Sequence, residues 1–568
     1  MQHCLTKITF ILLLFLSFKS NAQKNNEIIG IHLINYTNDI ALDNLAKLLP
    51  EFAKKGINTL FLEVDYNFDF KSHPELRANY SYITSKAAKK FSKKCKALNI
   101  DIVPQFQAIG HQSWEKNTFS LLTVYPELDL TPGAFKNNEG IYCREWDITN
   151  PRVNEIVFPL ILEILDAFDA QGVHLGMDEI FLLDNPLSPN TYGKDPAKLL
   201  AKTINEFHDF LSKKHKKQIY IWGDRLIDAH KFGYGKWEAS ANLTHFAIDL
   251  IPKDIIICDW HYNTQKNYPS VDLFLEKGFR VLPSSWNNPE AGKAFIRYSY
   301  ALKNKNMIGH LFTTWSDETK DLPKSPAINQ GLEIIKNKLF DVVYFKIVTN
   351  TQNESFLQLY TLNPKLTIVY DENEHFTNPK TYTQEIPFNK SLSIYAKIQL
   401  NENLSGEVSY GNFIFHKALY QKISVLTPMS TDYATENREK TLNNGIYETE
   451  GYADGEWLGF NGENLEALIE FKESTPIQSV SMNFYNKVND WVHHPLHIEI
   501  LGSNNNIDFT PLNTWKSNAI GKAILNVNLK TTGNYKYLKV IAYNKIIPEG
   551  FNGEGKPAWI FVDEIVVK

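Results

Sequence analysis

Two adjacent acids, Asp178 and Glu179, follow a short apolar run in the segment "GVHLGMDEIFLLD". Neighbouring carboxyl groups are suited to general acid–base chemistry and to stabilising a positive charge that develops in a transition state. Residues i, i+2 and i+4 of a strand share one face, so His174, Gly176 and Asp178 are predicted to point together into one cavity. Glu179 follows where the strand stops and is predicted to reach the same cavity.

The adjacency of these acids restricts the chemistry they can perform on a sugar. A retaining glycosidase with an enzymic nucleophile places its carboxyl groups about 5–5.5 Å apart across the scissile bond, and an inverting one about 6.5–9.5 Å apart. Adjacent residues at one strand end suit neither arrangement. A sugar with a 2-acetamido group removes the difficulty, because its own carbonyl oxygen can attack the anomeric carbon. One carboxylate then orients the acetamido group, while the other protonates the leaving oxygen and later activates water.

The elements that must position the acids are eight short apolar runs that alternate with amphipathic stretches between Glu27 and about residue 335. The runs are "IIGIHLI", "INTLFLEVDY", "DIVPQFQAIGH", "GVHLGMDEIFLL", "QIYIWGD", "DIIICDWHY", "FRVLPSSW" and "MIGHLFTTW". Strands alternating with helices predict a parallel sheet, and eight such units over about 300 residues predict a closed (β/α)8 TIM barrel. The strand ends of such a barrel converge on one mouth, where active sites lie.

Acidic and aromatic residues recur at the carboxyl ends of these runs. The ends carry His111, Asp178, Glu179, Trp222, Asp224, Trp260, Tyr262, Trp286, Trp315 and Asp317, as well as Glu63 and Asp65. A purely structural role would scatter polar residues over both ends of the strands. Because aromatic residues make up 13% of the chain and sugars stack on aromatic faces, the clustering favours a sugar-binding mouth.

The rest of the chain indicates an export signal and two all-β domains. Lys7, an apolar run and the small residues Ser20 and Ala22 predict a signal peptide over residues 1–22, and hence a periplasmic, cell-surface or secreted protein. The barrel is predicted over residues 23–338. Short β-like runs with Gly and Asn between them then predict a small β domain over residues 339–424 and a jelly-roll β-sandwich over residues 425–568.

Composition excludes some functional classes. The net charge of −5 gives no sign of a nucleic-acid partner, and no segment after the signal peptide approaches the ~20 apolar residues of a membrane span. Cys95, Cys143 and Cys258 have no zinc-like spacing and are predicted to be buried thiols. We therefore expect no metal in the catalytic site and no cofactor.

Four segments, in order, resemble family 20 glycoside hydrolases, the β-N-acetylhexosaminidases. "HLGMDE" is similar to the family's His-x-Gly-x-Asp-Glu signature, and "GHQSWEKNTFSLLTVYPEL" to its Pro-Gly-His…Tyr-Pro-Glu-Leu segment. "IYIWGD" resembles its fifth-strand segment and "TTWSDE" its eighth-strand segment. Each piece alone has little specificity, whereas the ordered set spans the whole barrel.

The resemblance implies a role for each candidate residue. Asp178 would orient the acetamido group, and Glu179 would act as acid and base. The substrate-binding residues would be His111, Trp222, Asp224, Trp260, Tyr262, Trp286, Trp315 and Asp317. The implied reaction removes a terminal β-linked N-acetylglucosamine or N-acetylgalactosamine from a glycan by substrate-assisted catalysis with retention.

Departures from the family pattern keep two alternatives open. The first run, "GIHLINYTND", lacks the Arg that binds hydroxyls of the terminal sugar in the family. The second run has "FLEVDYNFDF" in place of the family's His-x-Thr-Asp-Asp segment. Met177 also stands where a Gly is usual. The alternatives are a glycan-binding protein whose barrel has lost turnover, and a hydrolase of a modified amino sugar, for example a sulfated one.

The C-terminal half resembles known accessory modules. "LQLYTLNPKL" and "NPKTYTQEIPFNKSLSIYAKI" resemble the small β domain that follows the barrel in bacterial chitobiase-like enzymes. "YADGEWLGFNGENLEALIEF", "PLHIEILGSNN" and "PAWIFVDEIVV" are similar to discoidin-like (coagulation factor type C) sandwiches, which often bind carbohydrate. That resemblance allows a structural calcium ion in the last domain.

Overall fold

The computed structural model describes residues 27–78, 81–315, 319–350, 354–399, 406–430, 432–433, 438–447, 451–516 and 523–568. The predicted signal peptide, residues 1–22, and the predicted site residue Asp317 lie outside these ranges.

Within the described ranges, eight parallel strands close into a barrel, which confirms the fold predicted from the eight apolar runs. In chain order they are β1 (Ile28–Leu33), β2 (Thr59–Glu63), β3 (Asp101–Ala108), β4 (Gly172–Gly176), β5 (Gln218–Trp222), β6 (Ile256–Trp260), β7 (Arg280–Ser285) and β8 (Gly309–Phe312). Each strand pairs with its neighbours in sequence, and β8 pairs with β1 to close the ring.

Helices connect the strands. They are α1 (Asp39–Leu45), α2 (Leu49–Lys55), α3 (Ser85–Ala97), α4 (Ser120–Val124), α5 (Pro151–Phe168), α6 (Pro196–His208), α7 (Ala229–Phe232), α8 (Pro269–Glu276), α9 (Pro289–Ala301) and α10 (Pro326–Asn337). Asn150, Asp195 and Asn288 cap the first turns of α5, α6 and α9, each followed by a proline that suits the first helical position. The apolar faces of the helices pack on the strands in one large core.

The barrel interior is packed with side chains, as this fold requires. Phe61, Trp222, Leu282 and Leu311 form a cluster there that is separate from the core between strands and helices. His174 also points inward, fully buried, with its ring centroid 4.4 Å from that of Trp222. This cluster fills the barrel interior below the mouth.

The end of β4 differs from the prediction. The strand stops at Gly176, so the expected alternation of inward side chains does not continue to Asp178. Gly176, Met177 and Glu179 have positive φ values of 63°, 65° and 49°. This left-handed backbone is rare for residues with a Cβ and is concentrated at functional sites. It turns the chain sharply where the acid pair begins.

Two all-β regions follow the barrel, as predicted. The first contains a sheet of β9 (Tyr344–Thr349), β10 (Ser355–Tyr360) and β13 (Ile386–Pro387), and a sheet of β11 (Thr367–Asp371), β12 (Lys380–Thr381), β14 (Leu392–Gln399) and β15 (Ser409–Phe413). The second contains β16 (Lys422–Val425), β17 (Leu458–Asn461), β18 (Leu465–Tyr485), β19 (His497–Ser503), β20 (Thr510–Lys516), β21 (Ile524–Tyr543) and β22 (Trp559–Val567). The strand β16 pairs with β18 across the boundary predicted at residues 424/425, and the division into domains stays a prediction.

The cysteines follow expectation. Cys95, Cys143 and Cys258 are buried free thiols. Over the described part of the chain, no helix has both the length and the apolar character needed to cross a bilayer.

Candidate active site

The acid pair meets His111 at the mouth of the barrel. Asp178 and Glu179 are 8% and 9% exposed, so both are almost buried. Nε2 of His111 lies 3.3 Å from Oδ2 of Asp178 and 3.1 Å from Oε2 of Glu179. One imidazole therefore faces both carboxylates, and three of the predicted site residues form one cluster.

The charges of this cluster follow from its geometry. Burial disfavours a charged imidazole, but Asp178 and Cys143 together outweigh burial and hold the pKa of His111 well above its ordinary value. Burial likewise disfavours the Asp178 carboxylate, yet His111 and two side-chain hydrogen bonds lower the pKa of Asp178. At neutral pH, Asp178 is an anion that faces the cationic His111.

Gln107, on β3, holds Asp178 in place. Its Nε2 donates a hydrogen bond of 2.7 Å to Oδ1 of Asp178. Gly176 leaves room for this amide, because a Cβ at Gly176 would lie 2.0 Å from Oε1 of Gln107. Sequence reasoning did not select Gln107. The available signal was the pair of polar residues two positions apart, Gln105 and Gln107, inside the apolar run "DIVPQFQAIGH".

Asp224 lies behind Glu179 and is surrounded by protein donors. Its Oδ2 accepts from the backbone N–H of Glu179 at 2.9 Å and from Nε of Arg225 at 2.6 Å. Its Oδ1 accepts from Nε1 of Trp260 at 3.2 Å. Burial raises the pKa of Asp224 to about 6, against the opposing effect of Arg225. The sequence predicted a substrate contact here, whereas this geometry suits a residue that positions Glu179.

The other predicted aromatic residues form one connected set, which we call the inner aromatic group: Trp222, Trp260, Tyr262, Trp286 and Trp315. Trp222 is buried at the base, with its ring centroid 5.7 Å from that of Trp315. Nε1 of Trp315 donates to the Tyr262 hydroxyl at 2.7 Å, and the Tyr262 ring lies 5.0 Å from Trp260 and 5.6 Å from Trp286. The four residues above Trp222 are partly exposed, so the group offers aromatic faces to a ligand.

The first strand adds His32 to this group. Its ring centroid lies 4.7 Å from that of Trp315 and 5.5 Å from that of Trp222. Nε2 of His32 lies 3.0 Å from Oε1 of Gln105. Burial lowers the pKa of His32 to about 4. The first strand therefore contributes an uncharged ring to the inner aromatic group, and the run "GIHLINYTND" contains no arginine.

Two further carboxyl groups come from the end of the second strand. Asp65 accepts a hydrogen bond of 2.7 Å from the backbone N–H of Gln107, and Glu63 one of 3.3 Å from Nε2 of Gln105. Burial raises the pKa of Asp65 to about 7. Burial and the charge of Asp65 raise the pKa of Glu63 well above its ordinary value. The run "FLEVDYNFDF", which differs from the family pattern, thus places two carboxyl groups with raised pKa values near the acid pair.

A second set of aromatic residues lies near Glu179 and was not predicted. We call Trp114, Tyr142, Phe181 and Trp237 the outer aromatic group. The Tyr142 ring lies 5.7 Å from His111, 5.8 Å from Trp114 and 5.0 Å from Trp237, and Phe181 lies 5.4 Å from Trp237. Burial and then the Glu179 carboxylate raise the pKa of the Tyr142 hydroxyl. Trp114 is 50% exposed and Tyr142 38% exposed, so this group forms an open surface.

The cluster at the acid pair also has the composition of a metal site. In the described ranges, His111, Asp178 and Glu179 offer ligand atoms that all lie within 4.8 Å of one another. Binding a metal through Nε2 of His111 would require loss of the proton that Asp178 stabilises there. The absence of a catalytic metal stays a prediction.

Comparisons with known proteins give partial similarities. No protein-family model matches the chain. A lacto-N-biosidase from Bifidobacterium bifidum is 25% identical over 209 residues, which are 35% of this chain and 18% of the relative. The chain therefore matches about a fifth of the length of this curated relative.

Solved structures with similar folds are more distant. A Flavobacterium johnsoniae chitobiase is 20% identical with a TM-score of 0.40, covering 54% of this chain and 47% of its own. A β-N-acetylhexosaminidase from Bacteroides fragilis is 14% identical with a TM-score of 0.39, covering 54% and 66%. A Vibrio harveyi exo-β-N-acetylglucosaminidase is 15% identical with a TM-score of 0.40, covering 54% of each chain. These values are too low to assign a family, so the function has to follow from the site.

Proposed function

We propose that this protein is a retaining glycoside hydrolase that removes terminal β-linked N-acetylhexosamine from glycans by substrate-assisted catalysis. The observation that carries the proposal is the pairing of Asp178 and Glu179 around His111, beside the inner aromatic group. The partial similarity to a lacto-N-biosidase supports a glycosidase. We also propose that the protein is exported, because residues 1–22 have the features of a signal peptide.

The inner aromatic group would hold the terminal sugar. Trp222 supplies a buried floor, and partly exposed rings stand around it. The apolar face of a pyranose ring and the methyl of an acetamido group gain free energy by leaving water for such surfaces. A sugar in this pocket would have its anomeric carbon close to the acid pair, since Trp260 donates to the same Asp224 that holds Glu179.

Asp178 would orient the internal nucleophile. As an anion fixed by Gln107, it can accept a hydrogen bond from the acetamido N–H and aim the acetamido carbonyl oxygen at the anomeric carbon. As that oxygen bonds to the anomeric carbon, the acetamido group becomes positively charged. A fixed anion in a water-poor site stabilises this charge without reorganising.

Glu179 would move the protons. In the first step it donates a proton to the leaving oxygen, so the glycosidic bond breaks as the carbonyl oxygen bonds to the anomeric carbon. In the second step it accepts a proton from the water that attacks the same carbon, and the acetamido group is regenerated. Two inversions at one carbon give net retention. His111, in contact range of both acids, would hold their relative positions.

The direct test compares wild type with Glu179→Gln and Asp178→Asn on chromogenic β-N-acetylglucosaminide, β-N-acetylgalactosaminide and their sulfated forms. Each variant should lose about 10²–10⁴-fold in kcat, the usual contribution of a positioned acid or base. Unchanged circular dichroism and melting temperature would serve as the folding control. Variants that turn over like wild type would refute these roles. A thiazoline mimic of the intermediate should bind much more tightly than the product sugar.

A second candidate function is a glycan-binding protein without turnover. It is favoured by the first strand, which brings the neutral His32 and no arginine to the pocket. This candidate predicts that N-acetylhexosamine-terminated glycans bind to wild type, while none of the chromogenic substrates is cleaved. Retention of both Asp178 and Glu179 favours the enzyme.

A further inference from the structure

We propose that the second all-β region, predicted as a β-sandwich over residues 425–568 and called the sandwich below, completes the leaving-group side of the active site. The substrate would then be an oligosaccharide whose second sugar lies on the outer aromatic group and reaches the cleft between barrel and sandwich. This inference rests on the proposed function and extends it to the substrate class.

The position of Glu179 decides which side of the site receives the leaving group. The acid must face the leaving oxygen, so the sugar beyond the scissile bond lies on the Glu179 side. Tyr142, in the outer group, interacts with Glu179 and lies 5.7 Å from His111, whereas Gln107 flanks Asp178. Tyr142 of the outer aromatic group therefore stands beside Glu179, where the sugar of the leaving group would lie.

The outer aromatic group leads directly into an interdomain cleft. Trp237, whose ring lies 5.0 Å from that of Tyr142, lines this cleft together with Glu238 of the barrel. The opposite wall comes from the sandwich and includes Tyr452 and Ala453. A saccharide chain that stacks on Tyr142 and Trp237 would therefore contact residues of both domains.

The sandwich is held firmly against the barrel at this point. A Cβ at Gly235 would lie 1.8 Å from the backbone oxygen of Asp432, so only glycine permits this close approach. Lys236 forms an ion pair of 2.9 Å with Asp432. Lys266 of the barrel reaches the nearly buried Glu456 of the sandwich at 2.6 Å. Such contacts on both sides of the cleft fix its width.

The cleft is small, and the carboxyl residue Glu238 is part of its lining. Its volume of about 50 Å³ has room for a few water molecules, so a hydroxyl or hydroxymethyl group can enter it but a whole sugar ring cannot. Glu238 supplies an acceptor there, and His261 holds it in place with Nδ1 2.5 Å from Oε2 of Glu238. Burial opposes the charge on His261, but Asp259 and Glu238 raise the pKa of His261 to about 9. A sugar would lie across the opening and insert a substituent.

The test uses one variant in each domain and measures a ratio of substrates. Trp237→Ala removes the indole ring that lines the cleft on the barrel side. Ala453→Trp fills the cleft with a large side chain from the sandwich side. The substrates are 4-nitrophenyl N-acetyl-β-glucosaminide, chitotetraose, and a trisaccharide with N-acetylglucosamine β1–3-linked to lactose. The readout is kcat/KM for each oligosaccharide divided by kcat/KM for the nitrophenyl glycoside. Tyr410→Ala, which changes an exposed tyrosine on the small β domain, is the matched control.

Both variants should lower this ratio about tenfold or more for an oligosaccharide that wild type prefers, because Trp237→Ala removes an aromatic contact and Ala453→Trp blocks the cleft. The control should leave the ratio unchanged. If wild type cleaves the nitrophenyl glycoside and neither variant changes the ratio of kcat/KM values, this inference is overturned. The proposed function would still stand. A folded wild type that is inactive on all three substrates would overturn the proposed function and this inference with it.

Discussion

The carboxylate of Asp224 accepts a hydrogen bond of 2.9 Å from the backbone N–H of Glu179, which links the segment after β5 to the segment after β4. Glu179 has a φ of 49°, a left-handed conformation that costs a residue with a Cβ about 1–2 kcal/mol. The hydrogen bond that the Glu179 N–H donates to the Asp224 carboxylate offsets part of this cost. The conformation of Glu179 is thus set by a neighbouring strand, through Asp224.

Substitutions of Asp224 should therefore alter catalysis through Glu179. Asp224→Ala removes the acceptor and leaves the buried Arg225 without its carboxylate partner, so we expect the free energy of unfolding to fall by about 3–5 kcal/mol. Asp224→Asn keeps an oxygen for the Glu179 N–H and should fold, with kcat lowered about tenfold and KM nearly unchanged, because misplacement of a reacting group acts on the chemical step. Steady-state kinetics and denaturant unfolding measure both effects. A folded Asp224→Ala with wild-type kcat would contradict the positioning role.

Two glycine substitutions separate backbone strain from damage to the site. Gly176 and Gly56 both have positive φ, but a Cβ at Gly176 would meet Gln107 at 2.0 Å whereas one at Gly56 would meet nothing within 4 Å. Gly56→Ala should lower the free energy of unfolding by about 1 kcal/mol and leave turnover intact. Gly176→Ala should carry the same strain and also displace the Gln107 amide from Asp178, so that kcat falls about tenfold or more. Equal kcat values in the two folded variants would show that Gln107 does not hold Asp178.

Glu145 should make stability depend on pH. Its Oε1 accepts from the backbone N–H groups of Phe181 and Leu182 at 2.6 and 2.8 Å, and burial raises its pKa from 4.5 to about 7. The folded state therefore binds a proton that the unfolded state releases, so the free energy of unfolding should fall as pH rises from about 4.5 to about 7. The contribution of this residue is at most about 3 kcal/mol.

Glu145→Gln tests this pH dependence with an uncharged side chain of the same shape. Denaturant unfolding of wild type and variant at about pH 5 and about pH 8 gives the comparison. The variant should lose less stability between the two pH values than wild type does. Identical slopes would mean that Glu145 has an ordinary pKa in the folded protein.

Removal of metal ions distinguishes the acid–base assignment from a metal site at the same residues. Dialysis against EDTA should leave kcat unchanged, because the proposed steps use protons and a substrate oxygen. Loss of kcat that Ca²⁺, Mg²⁺ or Zn²⁺ restores would instead assign His111, Asp178 and Glu179 as ligands. A lower melting temperature with kcat retained would place a structural ion elsewhere, for example the calcium ion that the discoidin-like resemblance allows in the last domain.

Much of the fold and part of the site could be predicted from the sequence, because the signals were local. Alternating apolar runs and amphipathic stretches predicted a closed barrel, and the structure confirms it. The acid pair was visible because Asp178 and Glu179 are consecutive, and the inner aromatic residues because they end strands that must converge. Gln107 carried a weaker local signal, a polar residue at an inward position of an apolar run.

Other site residues carried no signal of this kind. Tyr142 and Trp237 lie in loops with no periodicity, and they meet only because separate loops fold over the same edge of the barrel. The end of β4 was also misjudged, since the left-handed turn from Gly176 depends on Gln107 and Asp224 of neighbouring strands. The contact between Gly235 and Asp432 joins two segments that are far apart in the chain.

The sequence by itself determined the barrel, the consecutive acids and the aromatic strand ends, because periodicity and adjacency are properties of short segments. Only the tertiary structure decided which partners surround the acids: His111 between them, Gln107 beside Asp178 and Asp224 behind Glu179. The physical reason is that hydrogen bonding and burial act over a few ångströms in space. The pKa of a carboxyl group therefore depends on neighbours that the chain brings together only when it folds.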